Sequence, residues 1–161
     1  FRRSNLLTLV DDISPAILSS RADIKMQQRF IPSLNTYANY NLRFPTSIAI
    51  PDRDTPVITS SLFTFNSTLA KIQNKLGSTT LQLISAGTGT VLVDSVGSYN
   101  ATSGTVNIVA LNPSNVVGGV NYIKLSAIPT NNSVVSPQRN DVLKFDQEAS
   151  FASPEIVSAT N

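Results

Sequence analysis

Few residues in this chain are of a type and spacing that could do chemistry. Asp52-Arg53-Asp54 sets two carboxylates one residue apart, a pattern that can lend oxygens to a hard cation. Such an ion wants about six to eight oxygen ligands. Arg53 between the acids works against it, and the flanking Pro51 and Pro56 make the stretch read as a solvated turn. Gly87-Thr88-Gly89 resembles the start of a phosphate cradle. It lacks the further glycine, lysine and helix that would aim several N–H groups at a phosphate, so a hairpin turn is expected. Asn66-Ser67-Thr68, Asn100-Ala101-Thr102 and Asn131-Asn132-Ser133 match the glycosylation acceptor, at about the frequency that a chain so rich in Asn, Ser and Thr produces by chance.

Histidine and cysteine are both absent, with His 0 and Cys 0. That removes the commonest metal ligands, the thiol nucleophile and the usual proton shuttle near neutral pH. A base for a serine nucleophile would then have to be a buried Lys or a carboxylate. Lys71, Lys75, Lys124 and Lys144 all fall at exposed-looking positions. No carboxylate pair is singled out by its surroundings, and Asp94 reads as a polar strand or turn residue. The chain is therefore expected not to be an enzyme, with no catalytic, cofactor-binding or metal residues and no cofactor.

Composition narrows the partners. Across 161 residues, 41% are hydrophobic and only 14% charged, against a typical charged share of roughly 25%. Ser, Thr, Asn and Gln must cover much of the surface, or neighbours must hide it. A formal net charge of +2, with no basic run longer than Arg2-Arg3, argues against a nucleic-acid partner. No apolar run approaches the roughly 20 residues that span a bilayer, so no membrane partner is expected, nor a small-molecule substrate. Beginning at Phe1, the chain reads as a piece of a longer one.

The elements that would position any site read as mainly β: antiparallel hairpins and a meander, sandwich-like, with short peripheral helices. The clearest is Leu81 to Leu111, three β-branched runs separated at Gly87, Gly89 and Gly104, a three-stranded meander. Residues Ser4 to Ile13 predict a short helix with Leu6, Leu7, Leu9, Val10 and Ile13 on its apolar face, and Ser14-Pro15 a further turn carrying Ile17 and Leu18. Ile24 to Phe30 and Ala38 to Phe44 alternate with period two about Pro32-Ser33-Leu34-Asn35 and predict a hairpin. Val57 to Phe65 predicts a strand with Thr59, Ser61, Phe63 and Phe65 on one face. Leu69, Ile72 and Leu76 recur at helical spacing after Asn66-Ser67 and before Gly77, which predicts a helix over one side of the meander. Val120 to Ile128 predicts a fourth strand with Ile123, Leu125 and Ala127 on one face. Val134-Val135 and Val142 to Phe145 predict short late strands. Three stretches result: 1–50, helix plus hairpin; 51–130, the strand, helix and meander; 131–161, late strands and tail.

The runs Thr55 to Phe65, Asn74 to Leu81, Val91 to Tyr99 closing with Gly104-Thr105-Val106, and Ser136 to Leu143 together resemble the C-terminal part of the baseplate wedge protein of contractile-tailed, T-even type bacteriophages, the gene-product-six family. The likeness runs from about Ile24 to Asp146 and rests on turn and strand patterns. It implies a structural subunit of the virion tail baseplate, assembled in the host cytoplasm. It also implies a homodimer or higher homo-oligomer that joins other wedge and hub-proximal proteins and is rearranged on tail contraction. The family's residue contacts are not carried by these motifs.

Low charge and apolar residues on peripheral elements suit shared surfaces. The candidate contact residues are Leu6, Leu9, Val10 and Ile13 on the helix, Arg29, Asn39, Asn41 and Arg43 on the polar face of the first hairpin, and Phe151, Ile156 and Val157 in the tail. The alternative is a stand-alone β-sandwich binding module, such as an adhesin or carbohydrate-binding domain. That role calls for an aromatic platform, and Tyr37, Tyr40, Tyr99 and Tyr122 are the tyrosines available.

Overall fold

The computed structural model describes residues 3–13 and 24–131. Helix α1 (Arg3–Asp11) is followed by β1 (Met26–Phe30), β2 (Ala38–Arg43), β3 (Ile58–Ser60), β4 (Phe63–Phe65), β5 (Thr68–Asn74), β6 (Thr80–Ser85), β7 (Val91–Asn100), β8 (Thr105–Leu111), β9 (Asn115–Val116) and β10 (Ile123–Ala127). The protein is mainly β, with every strand pair antiparallel. The order across the sheet is β1-β10-β3-β5-β6-β7-β8-β2, with β4 joining β5 to β9. Strands from the 1–50 and 51–130 stretches thus share one sheet. The turn after Ser14-Pro15, the late strands at Val134-Val135 and Val142–Phe145, and the 132–161 tail lie outside the described residues.

The sheet curls until its two ends face each other, nearly closing a barrel. Alternation decides which side chains go inside. Ile123, Leu125 and Ala127 of β10, Ala70 and Ile72 of β5, Leu81 and Leu83 of β6, and Val106 and Ile108 of β8 are buried, with polar residues between them. Each Val, Leu or Ile side chain among them contributes about 1.5–3 kcal/mol when taken from water. Asn74 and Ser85 are the buried polar residues among those described, and Asn74 is fully enclosed. Its Oδ1 accepts from Ile58 N–H (2.9 Å) while its Nδ2 donates to Lys75 O (2.9 Å) and Ser78 O (3.2 Å), so its amide ties β3 to the end of β5.

The meander forms as expected, from β6, β7 and β8. Gly89 (φ 71°) and Gly104 (φ 69°) take the left-handed conformations its turns need, whereas Gly87 keeps an ordinary φ. The β10 pattern also matches its expected inward set.

Three expectations are corrected. The stretch read as a helix around Leu69, Ile72 and Leu76 is strand β5. Asn66 (φ 46°) and Ser67 (φ 61°) both adopt positive φ, which makes the two-residue primed turn that a tight β4–β5 hairpin prefers, and Phe65 pairs with Thr68 across it. Ala70, Ile72 and Asn74 then point inward with period two, leaving Leu69 and Leu76 exposed. The first hairpin also differs. Its strands and their alternation are present, but β1 pairs with β10 and β2 with β8, so the two face each other across a seam without a ladder. Across it Phe30 meets Tyr40 in a tilted ring contact, with centroids 4.6 Å apart, and Ser33 N–H donates to the Tyr40 hydroxyl (2.7 Å). Finally, the Val57–Phe65 strand is broken at Ser61-Leu62. Ser61 leaves the ladder to accept from Lys124 N–H through Oγ (3.0 Å) and to donate its own N–H to Lys124 O (2.8 Å). The break puts Ile58 and Phe63 in the core instead of a continuous Thr59-to-Phe65 face.

Because neighbouring strands alternate in direction, the loops collect at two ends. At one end the segment after β2 folds over the barrel mouth. Phe44 and Ile48 are buried there, Phe44 N–H donates to Gly104 O (2.8 Å), Ile48 N–H to Ala101 O (2.8 Å), and the Tyr99 hydroxyl to Ala49 O (3.2 Å). At Gly104 a Cβ would lie 2.5 Å from Thr46 O, so only glycine lets this lid close. We call this the closed end.

Candidate docking socket

The opposite end is organised by an irregular β7. Opposite β6, Leu81 pairs with Gly97 but Leu83 pairs with Val93 and Ile84 with Val91, so β7 carries extra residues and bulges away. At Gly97 (φ 137°) β7 lies close against β8, since a Cβ there would collide with Asn107 O. Beyond Gly97↔Ile108 the β7–β8 ladder stops. The remainder of β8 leans toward β2, where Ala110 (φ 50°) donates its N–H to Asn39 Oδ1 (2.8 Å) beside a bulge between Ala38 and Tyr40.

The two strands therefore splay and a socket of ≈ 250 Å³ opens between them. Its walls are Val93, Ser95 and Val96 of β7 and Val109, Ala110 and Leu111 of β8. Leu83 and Phe65 line it from β6 and β4, with Tyr37 and Asn112 completing it. Tyr37 (72% exposed) and Val109 (51% exposed) are accessible members of the lining, and Ile31, Leu34, Leu69 and Val91 are also exposed around this end. The Asn112 Oδ1 is buried with no hydrogen-bond partner among the described residues. Loop 31–37 is held beside it by Asn35 N–H donating to Pro113 O (2.9 Å).

Chemically the socket is apolar, with the hydroxyls of Tyr37 and Ser95 and the amide of Asn112 as its polar side-chain groups and no titratable acid or amine. Drug-sized ligands occupy roughly 300–1,000 Å³. The smaller volume suits a single aromatic or aliphatic side chain. Val91–Val96 pair with β6 on one side only, so a strand edge borders the socket, the arrangement that peptide addition to a sheet exploits.

The sequence candidates fall elsewhere. Arg29, Asn39, Asn41 and Arg43 are all exposed on β1 and β2. Arg29 lies over the Tyr122 ring (4.7 Å), and Asn39 is engaged by Ala110. On α1, Leu9 is exposed and Val10 half-buried, and Ile13, in the turn after the helix, is exposed; the Leu6 side chain and Phe151, Ile156 and Val157 lie outside the described residues. Of the tyrosines, Tyr40 stacks on Phe30, Tyr99 is buried and Tyr122 underlies Arg29, which leaves Tyr37 exposed at the socket.

The motifs that suggested chemistry sit in turns. Asp52 Oδ1 accepts from Asp54 N–H (2.7 Å) and Thr55 N–H (3.3 Å), and these bonds lower its carboxyl below the usual range. Among the described residues no cluster of three acids gathers there. Gly87-Thr88-Gly89 is the β6–β7 turn, where Gly89 N–H donates to Ser85 O (2.9 Å) and Thr88 N–H to Ser85 Oγ (3.4 Å). Lys75 pairs with Asp94 (2.7 Å) on the surface.

Of the socket residues, the sequence singles out Tyr37, as a candidate platform aromatic, and no other. Gly97 inside an otherwise β-branched run was the available signal, since a mid-strand glycine often marks a bulge or a close backbone approach. No known protein family, curated protein or solved structure matches the chain.

Proposed function

We propose that this chain is a structural subunit that works through protein–protein contacts, in the manner of the phage baseplate wedge proteins it resembles in sequence. The observation that carries this reading is the socket. An apolar cavity the size of one side chain, ringed by exposed apolar residues and bordered by a strand edge, is suited to receive part of another polypeptide. The partners proposed are a second copy of the chain and the other wedge and hub-proximal proteins of a tail baseplate, within the virion. The reading assigns no reaction and no cofactor.

Sedimentation velocity of the chain alone and mixed with wedge subunits tests it. Association that is lost on Val109→Asp, with the fold intact by circular dichroism, supports the reading. A chain that stays monomeric at all concentrations and joins none of those subunits contradicts it.

A further inference from the structure

One outer face of the sheet carries charge of a single sign. On β1 the buried Met26 and Phe30 point inward, which turns Lys25, Gln27 and Arg29 out to solvent. On β2 the outward set is Asn39, Asn41 and Arg43, and on β10 it is Lys124 and Ser126. The register of β1 on β10 sets Arg29 directly opposite Lys124, and Cα atoms of β1 and β2 come within 8 Å of each other, so these strands present one continuous surface.

Acids are missing from it. Between residues 24 and 131 the acids are Asp52, Asp54 and Asp94. The first two lie in the turn between β2 and β3, and Asp94 on β7 is paired with Lys75. Like charges directly opposite on neighbouring strands are destabilising, and an anion laid over them reverses the sign. Arg29 is also held in place, its guanidinium 4.7 Å over the Tyr122 ring, which reduces the freedom it loses on binding. Amide groups stand between the cations: Gln27 and Asn41 are exposed, and Asn39, whose Oδ1 is engaged by Ala110 N–H, offers its amide donor.

Two other kinds of occupant fit less well. A membrane would require apolar contacts, and no large hydrophobic side chain is exposed on the outward face of these strands. A single-stranded nucleic acid would require rings to stack on, and here Tyr122 is covered by Arg29 while Tyr40 is turned inward against Phe30. The carboxylates of a polypeptide need only what is present, fixed cations with amide donors between them.

We infer that the outward face of β1, β2 and β10 docks an acidic stretch of a partner protein, with Arg29 and Arg43 as its principal contacts. The inference rests on the proposed role in assembly and adds to it, since the socket supplies an apolar contact at one end of the barrel and this face a charged one on its side.

The test titrates the full-length chain into fluorescein-labelled poly-L-glutamate at low ionic strength, followed by anisotropy. Binding is expected, and it should fade by about 0.5 M salt as exposed charges are screened. Arg29→Glu combined with Arg43→Glu is expected to weaken it at least tenfold. Arg53→Glu combined with Lys71→Glu makes the same change in net charge elsewhere and is expected to weaken it less than threefold. Circular dichroism monitors the fold, and Arg29→Gln with Arg43→Gln, which removes the charges without reversing them, is expected to weaken binding at least threefold. Val109→Asn in the socket should leave it unchanged. No binding of poly-L-glutamate, equal losses for the two charge-reversed pairs, or tighter binding of labelled oligo-dT overturns the inference. A chain that joins no wedge subunit yet binds poly-L-glutamate through Arg29 and Arg43 contradicts the assembly role alone, and one that associates through the socket while ignoring poly-L-glutamate contradicts this face alone.

Discussion

The two ends of the barrel are built from the same kind of strand yet finished in opposite ways. At the closed end, Phe44 and Ile48 are folded into the core and their backbone groups are bonded to Gly104 and Ala101. At the other, β7 and β8 part after Gly97 and leave apolar walls around a socket, with Tyr37 and Val109 largely in solvent. The difference shows that exposed apolar surface here is not a failure to bury. One mouth is covered by the loop that buries Phe44 and Ile48, and the other is held open by a bulged strand and a close glycine contact.

The comparison is broken most severely at the hinge of the splay. Gly97→Val forces a Cβ against Asn107 O at a backbone angle that favours glycine, and should destabilise the fold by about 4 kcal/mol or more in urea unfolding. A loss below about 1 kcal/mol would mean that the β7–β8 approach is not what positions the socket. Next is Asn74→Leu, which strands the buried Ile58 N–H and removes the amide donor to the carbonyls of Lys75 and Ser78. A loss of about 2–4 kcal/mol is expected, measured the same way.

Tyr99 sharpens the account of the closed end. Burial raises its phenol above the ordinary value, so the neutral form is favoured in the folded state. Its contribution is fully present below the unfolded pKa of about 10 and is lost as pH rises through the folded value. Tyr99→Phe should cost about 1 kcal/mol at neutral pH through the lost bond to Ala49 O, and should flatten the alkaline fall in stability seen for the parent. Smallest of all, Val109→Asp at the socket rim should change stability by no more than about 0.5 kcal/mol while weakening association, the reverse of the closed-end variants.

How much of this was legible follows from what a residue pattern encodes. The meander could be read because glycine and Asn/Thr/Ser breaks separate β-branched runs, and β10 because Ile123, Leu125 and Ala127 alternate cleanly. Strand β5 reads as a helix because Leu69, Ile72 and Leu76 mimic a helical stripe, while the weaker set Ala70, Ile72 and Asn74 holds the true period. Asn66-Ser67 reads as a helix cap as readily as a primed turn, because the same residue types serve both. Alternation on β1 and β2 fixes which face is inward but carries no information about the partner strand, so the adjacent pair was joined when each is held by a distant one. The socket arises from register slips between β6, β7 and β8, a property of pairing that no single strand displays.

The most direct measurement uses the lack of tryptophan, Trp 0, in the chain. Tyr37→Trp places a sole indole at the socket, where Tyr37 is 72% exposed. Its emission is followed as the chain is concentrated or mixed with wedge subunits, with complex formation monitored by sedimentation in parallel. The account predicts solvent-exposed emission for the monomer and a blue shift that tracks complex formation and disappears with Val109→Asp. Complexes that form with the emission unchanged would place the interface on another face and contradict the account.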